Sequence, residues 1–169
     1  GKNQGAVSIS IDNSNLYLTI CEFVSRDYKN CDIFVAHRNS GYWGELKNLG
    51  PNINGKYTWE SQPSISPDGN TIYFASIRES NIGFDPENPT SDIYVSHKDS
   101  TGSWSKAKNL GAPINTKGNE KSPFFHSDNQ TLYFASDKHP GVGGYDIFFS
   151  QFNNDRWAEI QNIGYPINT

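Results

Sequence analysis

The chain has 169 residues and a formal net charge of −4, and only 34% of its residues are hydrophobic although 14% are aromatic. With 15 Gly and 9 Pro, this composition disfavours a helical bundle and a disordered tail, and it favours short strands joined by polar turns. The negative charge argues against a nucleic-acid partner. No apolar run approaches the roughly 18 residues of a membrane helix, so we expect no direct membrane insertion.

Three sets of landmark residues recur along the chain in the same order, at intervals of about 54 to 61 residues. The landmarks are a turn aspartate, an Asp-Ile-aromatic triplet, and a tryptophan followed by Asn-Leu-Gly or Asn-Ile-Gly. In the three copies they begin at Asp12, Asp32 and Trp43; at Asp68, Asp92 and Trp104; and at Asp128, Asp146 and Trp157. Such a period is typical of a repeat architecture in which each copy is one supersecondary unit.

The second copy serves to predict the strands of one repeat. We expect a first strand at 63–66, a tight Pro-Asp-Gly-Asn turn at 67–70, and further strands at 71–75, 92–96 and 104–110. The strand at 71–75 (Thr-Ile-Tyr-Phe-Ala) is apolar on both faces, so both faces must be covered. Sheets stacked radially as blades cover one another in this way. We expect the recurring tryptophans to lie in the core or to pack between blades.

The sequence therefore predicts an all-β chain that forms three four-stranded antiparallel blades of a β-propeller. We place the blades at about 5–50, 61–111 and 121–164, within one domain spanning 1–169. Closed propellers have about four to eight blades, so three leave the ring open. Two interpretations remain: the remaining blades belong to a longer parent chain, or a second copy closes a six-bladed ring head to tail.

Several of these motifs resemble those of a known family. Ser-Pro-Asp-Gly at 66–69, Ile-Tyr-Phe at 72–74 and Asp-Ile-Tyr at 92–94 look like the TolB-type, WD-like propeller repeat. The Trp and Asn-Leu-Gly-x-x-Ile-Asn tail at 104–115 is similar to the variant in OmpA-family envelope lipoproteins, including the propeller protein associated with type IX secretion. This resemblance covers essentially the whole chain. It implies an exported protein of the periplasm or outer membrane whose partners are envelope proteins.

The long connections indicate where a partner would bind, because binding residues concentrate on long loops held by a rigid scaffold. They are the links within repeats at 20–31, 77–91 and 137–145 and the links between repeats at 50–61 and 111–122, and we expect all of them on one face. The candidate partner-binding residues are Phe23, Arg26, Tyr28, Arg78, Phe84, Lys138 and His139 within repeats and Tyr57, Trp59, Glu60 and Lys117 between them. The alternative for Trp59 and Phe84 is that they pack down onto their own loops.

The two cysteines, Cys21 and Cys31, flank the long link of the first repeat. If the flanking strands form a hairpin, the two residues lie opposite each other and could form a disulfide, which would fit an oxidising compartment. The alternative is a pair of reduced thiols. The four histidines show no metal-ligand spacing, so we expect no metal and no cofactor.

Three functions remain open at this stage. The first is a non-enzymatic scaffold for protein–protein interaction, which the exposed aromatic and arginine residues favour. The second is a carbohydrate-binding propeller in which Tyr57 and Trp59 stack on a sugar ring and Glu60 accepts its hydroxyls. The third, a glycosidase-like enzyme, would need two facing carboxylates from the long loops. Because no nucleophile elbow, Walker loop or zinc-protease motif occurs, we expect no enzyme.

Overall fold

The computed structural model describes residues 2–25 and 29–169, and every described element is a strand, turn or loop. Blade 1 contains β1 (Asn3–Ile9), β2 (Asn15–Phe23), β3 (Lys29–Asn39), β4 (Tyr42–Trp43) and β5 (Lys47–Asn48). Blade 2 contains β6 (Trp59–Ile65), β7 (Thr71–Ile77), β8 (Asp92–His97) and β9 (Lys108–Asn109). Blade 3 contains β10 (Glu120–Phe125), β11 (Thr131–Ser136), β12 (Asp146–Asn153), β13 (Arg156–Trp157) and β14 (Gln161–Asn162). In the described residues, no helix has the length and apolar character needed to cross a membrane.

Each blade is an antiparallel sheet in which strands that follow one another along the chain are neighbours. The first strands of the blades, β1, β6 and β10, contact one another in succession, so they lie innermost around a common axis. The outer strand is interrupted in every blade. In blades 1 and 3 it consists of two short pieces, β4 with β5 and β13 with β14, that pair with the same third strand. The predicted all-β fold of three propeller blades is confirmed.

The prediction of one continuous fourth strand at 104–110 is wrong in detail. Trp104 makes a single bridge with Lys98, and regular pairing resumes only at β9. Between these points the Ser105 N–H donates to the carbonyl of His97, and the Ser96 hydroxyl donates to the carbonyl of Ser105. These bonds replace the regular ladder and let the outer edge bulge, so that Ala107 reaches the interface with blade 1.

The turn between the first two strands has the same construction in all three blades. The residue after the turn aspartate has a positive φ of 56° at Asn13, 71° at Gly69 and 59° at Asn129, where only glycine and asparagine are readily accommodated. In blade 2 the Asp68 carboxylate accepts hydrogen bonds from the Ser66 hydroxyl and the Asn70 N–H, and these bonds lower the pKa of Asp68. The predicted tight turn is therefore present at each position.

The asparagine that ends each repeat completes the edge of the third strand. Asn54 accepts from the N–H of Ile33 at 2.8 Å and donates to its carbonyl at 2.9 Å. Asn115 forms the same pair of bonds with Ile93, and Asn168 forms it with Ile147. One side-chain amide thus substitutes for a strand residue at the sheet edge, which explains why the Ile-Asn motif recurs.

Two apolar clusters hold the three blades together, and both involve blade 2. Between blades 1 and 2 lie Tyr17, Ile33, Val35, Ile53, Ile65, Ile72, Phe74, Tyr94 and Ala107, with Leu49 and Trp104 at the margin. Between blades 2 and 3 lie Tyr73, Ile93, Val95, Ile114, Phe125, Leu132, Phe134 and Phe148, with Leu110, Trp157 and Ile160 at the margin. Blade 2 is therefore covered on both faces.

The recurring tryptophans follow the same arrangement. Trp104 packs edge-on against Tyr17 of blade 1, and Trp157 packs edge-on against Tyr73 of blade 2, each at 6.4 Å between ring centroids. Both therefore lie between blades, as predicted. Trp43 occupies the same repeat position in blade 1 but is exposed, so the prediction is wrong for this tryptophan. Among the described residues, the face to which it belongs has no neighbouring blade.

Candidate functional site

A groove opens between the link that joins blades 1 and 2 and the β7–β8 loop of blade 2. Its volume is about 690 Å³. It is lined by Lys56, Tyr57, Thr58, Ile77, Arg78, Glu79, Ser80, Phe84, Pro86 and Pro89. Of the predicted site residues, the structure brings Tyr57, Arg78 and Phe84 together here. The Tyr57 side chain is 76% exposed, whereas Phe84 is half-buried.

Glu60 lies beneath this groove and not on the surface. It is fully buried, and its Oε1 accepts hydrogen bonds from the Ser76 hydroxyl at 2.7 Å and from Arg78 Nη2 at 3.1 Å. Its Oε2 accepts the Gly55 N–H at 3.1 Å. Burial raises the pKa of Glu60, while the charge of Arg78 opposes that shift. Our assignment of Glu60 to the exposed face is corrected, because its carboxylate is enclosed and fully engaged.

Arg78 holds the two walls of the groove together. Its guanidinium donates to the carbonyl of Ile53 in the preceding link as well as to Glu60. It also lies over two rings of the blade 1–blade 2 interface, with Cζ 4.6 Å from the Tyr94 centroid and 5.7 Å from that of Phe74. Because only 15% of the side chain is exposed, Arg78 positions the groove more than it offers a charge to a ligand.

The same arrangement recurs between blades 2 and 3 with a histidine as the donor. Glu120 is fully buried and accepts from the Thr116 N–H and the Ser136 hydroxyl. His139 Nε2 lies 2.9 Å from the carbonyl of Ile114, and this contact requires the hydrogen to be on Nε2. The ring also packs on Phe134 and Phe148. His139 is therefore half-buried and holds a loop in place.

The β7–β8 loop that forms the outer wall is held by internal hydrogen bonds. The buried Asn81 donates to the carbonyls of Ser76 and Thr90 and accepts from the Tyr94 hydroxyl at 2.7 Å. The Ile82 N–H donates to the Asp92 carboxylate at 2.9 Å. Because these bonds connect both ends of the loop to the sheet, Phe84, Pro86 and Pro89 are presented on a fixed support.

The remaining predicted site residues are dispersed. Trp59 is half-buried beside a separate depression with Thr19, Ser61 and Gln62 near the inner strands. The stem of Lys117 lies against Gly83, on another part of the β7–β8 loop, which shows that the two classes of long connection do meet on one face. Phe23 and Lys138 are exposed away from the groove. Arg26 and Tyr28 lie outside the described residues.

Sequence reasoning missed the prolines and Lys56. The only signal was the composition of the segment Phe-Asp-Pro-Glu-Asn-Pro at 84–89, which has two prolines beside an aromatic residue. Cys21 and Cys31 are joined in a disulfide and lie directly opposite each other on β2 and β3, with 4.0 Å between their Cα atoms. Within residues 2–25 and 29–169, no three His, Cys, Asp or Glu side chains form a group that could hold a metal.

Asp92, which supports the loop, titrates in an unusual range. Burial raises the pKa of Asp92 to about 6, although hydrogen bonds from Asn109 and the Ile82 N–H oppose the shift. Between about pH 4 and pH 6 the folded chain therefore retains a proton that the unfolded chain has released. We expect the free energy of unfolding to decrease as pH rises through this window, by roughly 1 to 3 kcal/mol, in urea titrations at successive pH values.

Two variants isolate this effect. Asp92→Asn should remove the decrease between pH 4 and 6, because its amide carries no charge to desolvate. Asp68→Asn is the opposite control: hydrogen bonds lower the pKa of Asp68, so its contribution to stability is lost as pH falls below about 4. Parallel stability curves for the parent chain and Asp92→Asn from pH 4 to 7 would contradict the assignment.

Comparisons with known proteins support the fold. No family model and no curated protein matches the chain. A puromycin-hydrolysing peptidase from Mycobacterium tuberculosis is similar with a TM-score of 0.60 and 12% identity, over 97% of this chain and 24% of the peptidase. A puromycin hydrolase is similar with a TM-score of 0.57 and 12% identity, over 94% of this chain and 23% of the hydrolase. A putative TolB from Agrobacterium tumefaciens is similar with a TM-score of 0.50 and 14% identity, over 96% of this chain and 62% of the TolB chain.

These similarities concern the fold alone, because every identity is below 15%. The chain spans about a quarter of the length of the two peptidases and less than two thirds of the TolB chain. The matched part of the peptidases is a portion of their propeller. The fold and the comparisons define the chain as a set of β-propeller blades, similar in fold to the TolB chain.

Proposed function

We propose that the chain is a non-enzymatic β-propeller scaffold that binds an extended segment of a partner protein in the groove between Tyr57 and Phe84. The observation that carries the proposal is a preformed groove with an exposed aromatic ring on one wall and proline on the other. Both walls are fixed, since Arg78 connects them through Glu60 and Ile53. A rigid site of this kind avoids the entropic cost of ordering loops on binding.

The lining indicates the chemistry of the ligand. Most of the accessible surface of the groove is apolar, and Ile77, Phe84, Pro86 and Pro89 are among its lining residues, which suits an apolar or aromatic side chain of the partner. Lys56 lies with Nζ 5.0 Å from the Tyr57 ring centroid and supplies a positive charge at the rim. A peptide with an apolar residue beside an acidic one would therefore match the groove.

We place this activity in the bacterial envelope, in the periplasm or at the outer membrane. The Cys21–Cys31 disulfide supports an oxidising compartment, where such bonds persist. The resemblance of the Trp and Asn-Leu-Gly tail to OmpA-family lipoproteins supports envelope proteins as partners, including a role associated with type IX secretion.

The carbohydrate alternative receives less support. It relied on Tyr57, Trp59 and Glu60 acting together on one sugar. Glu60 is enclosed, and Tyr57 and Trp59 border different depressions. A sugar could stack on Tyr57 but would find no carboxylate from Glu60 at its hydroxyls.

Alanine variants of the groove test the proposal. Peptides selected by the immobilised chain from a displayed random library would be synthesised, and their Kd measured by fluorescence anisotropy. We expect Tyr57→Ala or Phe84→Ala to raise the Kd about 30-fold, which corresponds to a hot spot of about 2 kcal/mol. Because Tyr57 is exposed, Tyr57→Ala should leave the melting temperature nearly unchanged.

Tyr42→Ala is the matched control, since Tyr42 is equally exposed but lies in β4 of blade 1. It should leave the Kd unchanged. A glycan array run in parallel distinguishes the alternative: glycan binding that disappears in Trp59→Ala, with no peptide enriched, would overturn the proposal. An equal rise in the Kd of the Tyr42→Ala and Tyr57→Ala variants would also contradict binding in the groove.

A further inference from the structure

Blade 3 has an open face built from the positions that are buried between the other blades. Ile147 and Ile167 are 38% and 58% exposed, whereas Ile93 and Ile114 at the same repeat positions of blade 2 are 0% exposed. Beside them, Phe124, Tyr133 and Phe149 form a chain of rings with centroids 6.3 and 5.6 Å apart. This face continues the arrangement of an established blade interface, so its occupant can be inferred from the two interfaces that are filled.

Each filled interface contains a polar contact that the following blade supplies through a cationic or imidazole side chain. Arg78 of blade 2 donates to the carbonyl of Ile53 of blade 1, and His139 of blade 3 donates to the carbonyl of Ile114 of blade 2. The donor lies two or three residues after a serine of the second strand, Ser76 or Ser136.

The following blade also supplies a buried carboxylate from its first strand. Glu60 accepts the N–H of Gly55, and Glu120 accepts the N–H of Thr116. In both blades the serine hydroxyl donates to the same carboxylate at 2.7 Å. The occupied interfaces thus share three groups: a glutamate, a serine opposite it, and an Arg or His N–H donor.

Blade 3 ends with the structure that these groups recognise. Asn168 makes the same bonds to Ile147 that Asn54 makes to Ile33, so the Ile167 carbonyl occupies the position of those of Ile53 and Ile114. Thr169 follows at the position of Gly55 and Thr116. The end of blade 3 is therefore formed as a receptor for the same three groups.

At the positions aligned with those groups, the described part of blade 1 carries other residues. The register of β1 on β2 places Gln4 opposite Ile20, where Glu60 faces Ser76 and Glu120 faces Ser136. The two donor positions hold Glu22 and Phe23. Glu22 is paired with Lys2 at 2.9 Å, and in a docked blade its carboxylate would replace a donor to the carbonyl.

A second interface contact does not distinguish between the blades. The Ile65 N–H donates to the Ser8 hydroxyl, and the Phe125 N–H donates to that of Ser64. Phe124 occupies this position in blade 3 and has no acceptor on its side chain. Any blade docked on blade 3 would place the corresponding N–H, that of Ile9 in a copy of blade 1 or of Ile65 in a copy of blade 2, against this ring, so the selection rests on the other three groups.

From these contacts we infer that the open face of blade 3 binds a further blade that carries the glutamate, the serine and the Arg or His donor, and that it does not bind blade 1 of a second copy. In a head-to-tail dimer, the aligned positions of blade 1 would offer blade 3 neither the Arg or His donor nor the glutamate nor the serine. Selection between blades therefore resides in this polar set.

Two four-blade chains test the inference. In the first, residues 56–115, which form a copy of blade 2 with Glu60, Ser76 and Arg78, follow Thr169 directly. In the second, one glycine and residues 1–54, a copy of blade 1, follow Thr169. We expect the first addition to slow amide hydrogen exchange of residues 147–149 and 163–168 at least about tenfold and to raise the melting temperature. The second addition should leave the amide hydrogen exchange of those residues as it is in the unaltered three-blade chain.

A third chain separates polar selection from apolar contact. It carries Arg78→Met only in the appended copy of blade 2, and we expect it to lose most of the added protection while blades 1 to 3 keep their own. Equal protection by the two appended blades would overturn the inference, and so would no protection by either. Sedimentation of the unaltered three-blade chain provides a further check. A concentration-dependent dimer in which amide exchange of residues 163–168 is slowed would also overturn the inference.

Discussion

Replacing Glu60 by alanine should lower the free energy of unfolding by about 3 to 5 kcal/mol, as removal of one partner of a buried ion pair does. The change removes the carboxylate that accepts from the Arg78 guanidinium, the Ser76 hydroxyl and the Gly55 N–H in the interior, and it leaves the buried charge of Arg78 without its counter-ion. Urea unfolding at pH 7 would measure the loss. The double variant Glu60→Leu with Arg78→Met should lose less than the sum of the single changes, because neither charge is then left alone.

Glu79→Ala is the control for this prediction. Glu79 lies in the same loop next to Arg78 but is exposed, so its removal should change stability by no more than about 0.5 kcal/mol. The structural role of Glu60 would be refuted if Glu60→Ala cost no more than Glu79→Ala. Peptide binding offers a second readout, since loss of Glu60 releases the walls of the groove although Glu60 itself is not part of its surface.

The architecture could be predicted because its determinants are local. A turn such as 67–70 is specified by neighbouring residues with known backbone preferences. A strand that is apolar on both faces, such as β7, must have a sheet on each side. Their repetition in the same order at similar intervals then implied equivalent blades. The pair Ile-Asn stands in the sequence at 53–54, 114–115 and 167–168, although the bonds of its asparagine to the edge of the third strand could not be read from it.

The position of charged residues could not be predicted in the same way. A glutamate at the edge of a long link is ordinarily exposed, so Glu60 was placed on the surface. Its burial depends on Arg78 and Ser76, which are distant in sequence and approach only when β6 pairs with β7. One signal was available: Glu120 and Ser136 repeat the same pair in blade 3. A charged residue that recurs in register more often serves the scaffold than a ligand.

The exchange of Arg78 for His139 was also hidden from sequence reasoning. In strict register, Arg78 corresponds to Lys138, yet the residue that reaches the preceding carbonyl in blade 3 is the next one along. The loop geometry selects the donor, and a repeat alignment cannot. Tyr57 and Phe84 could be proposed as site residues because they are aromatic residues on long links, with packing onto its own loop as the alternative for Phe84; Tyr57 is exposed and Phe84 is half-buried.

The second large effect concerns a pair of isoleucines that differ only in whether a neighbouring blade covers them. Ile93 and Ile147 occupy the same repeat position, each held by a terminal asparagine, but Ile93 is 0% exposed and Ile147 is 38% exposed. Ile93→Ala should cost about 3 to 4 kcal/mol through lost contacts and the cavity left between blades 2 and 3. Ile147→Ala should cost about 1 kcal/mol or less.

Thermal and urea unfolding of the two variants measure these losses, and the difference between them isolates the contribution of the adjoining blade, since strand, register and substitution are the same. In the four-blade chain with an appended copy of blade 2, Ile147→Ala should become as costly as Ile93→Ala, because the position is then enclosed. If both isoleucines cost the same in the three-blade chain, the open face of blade 3 is already covered in solution, and the radial order deduced from blade 2 would have to be revised.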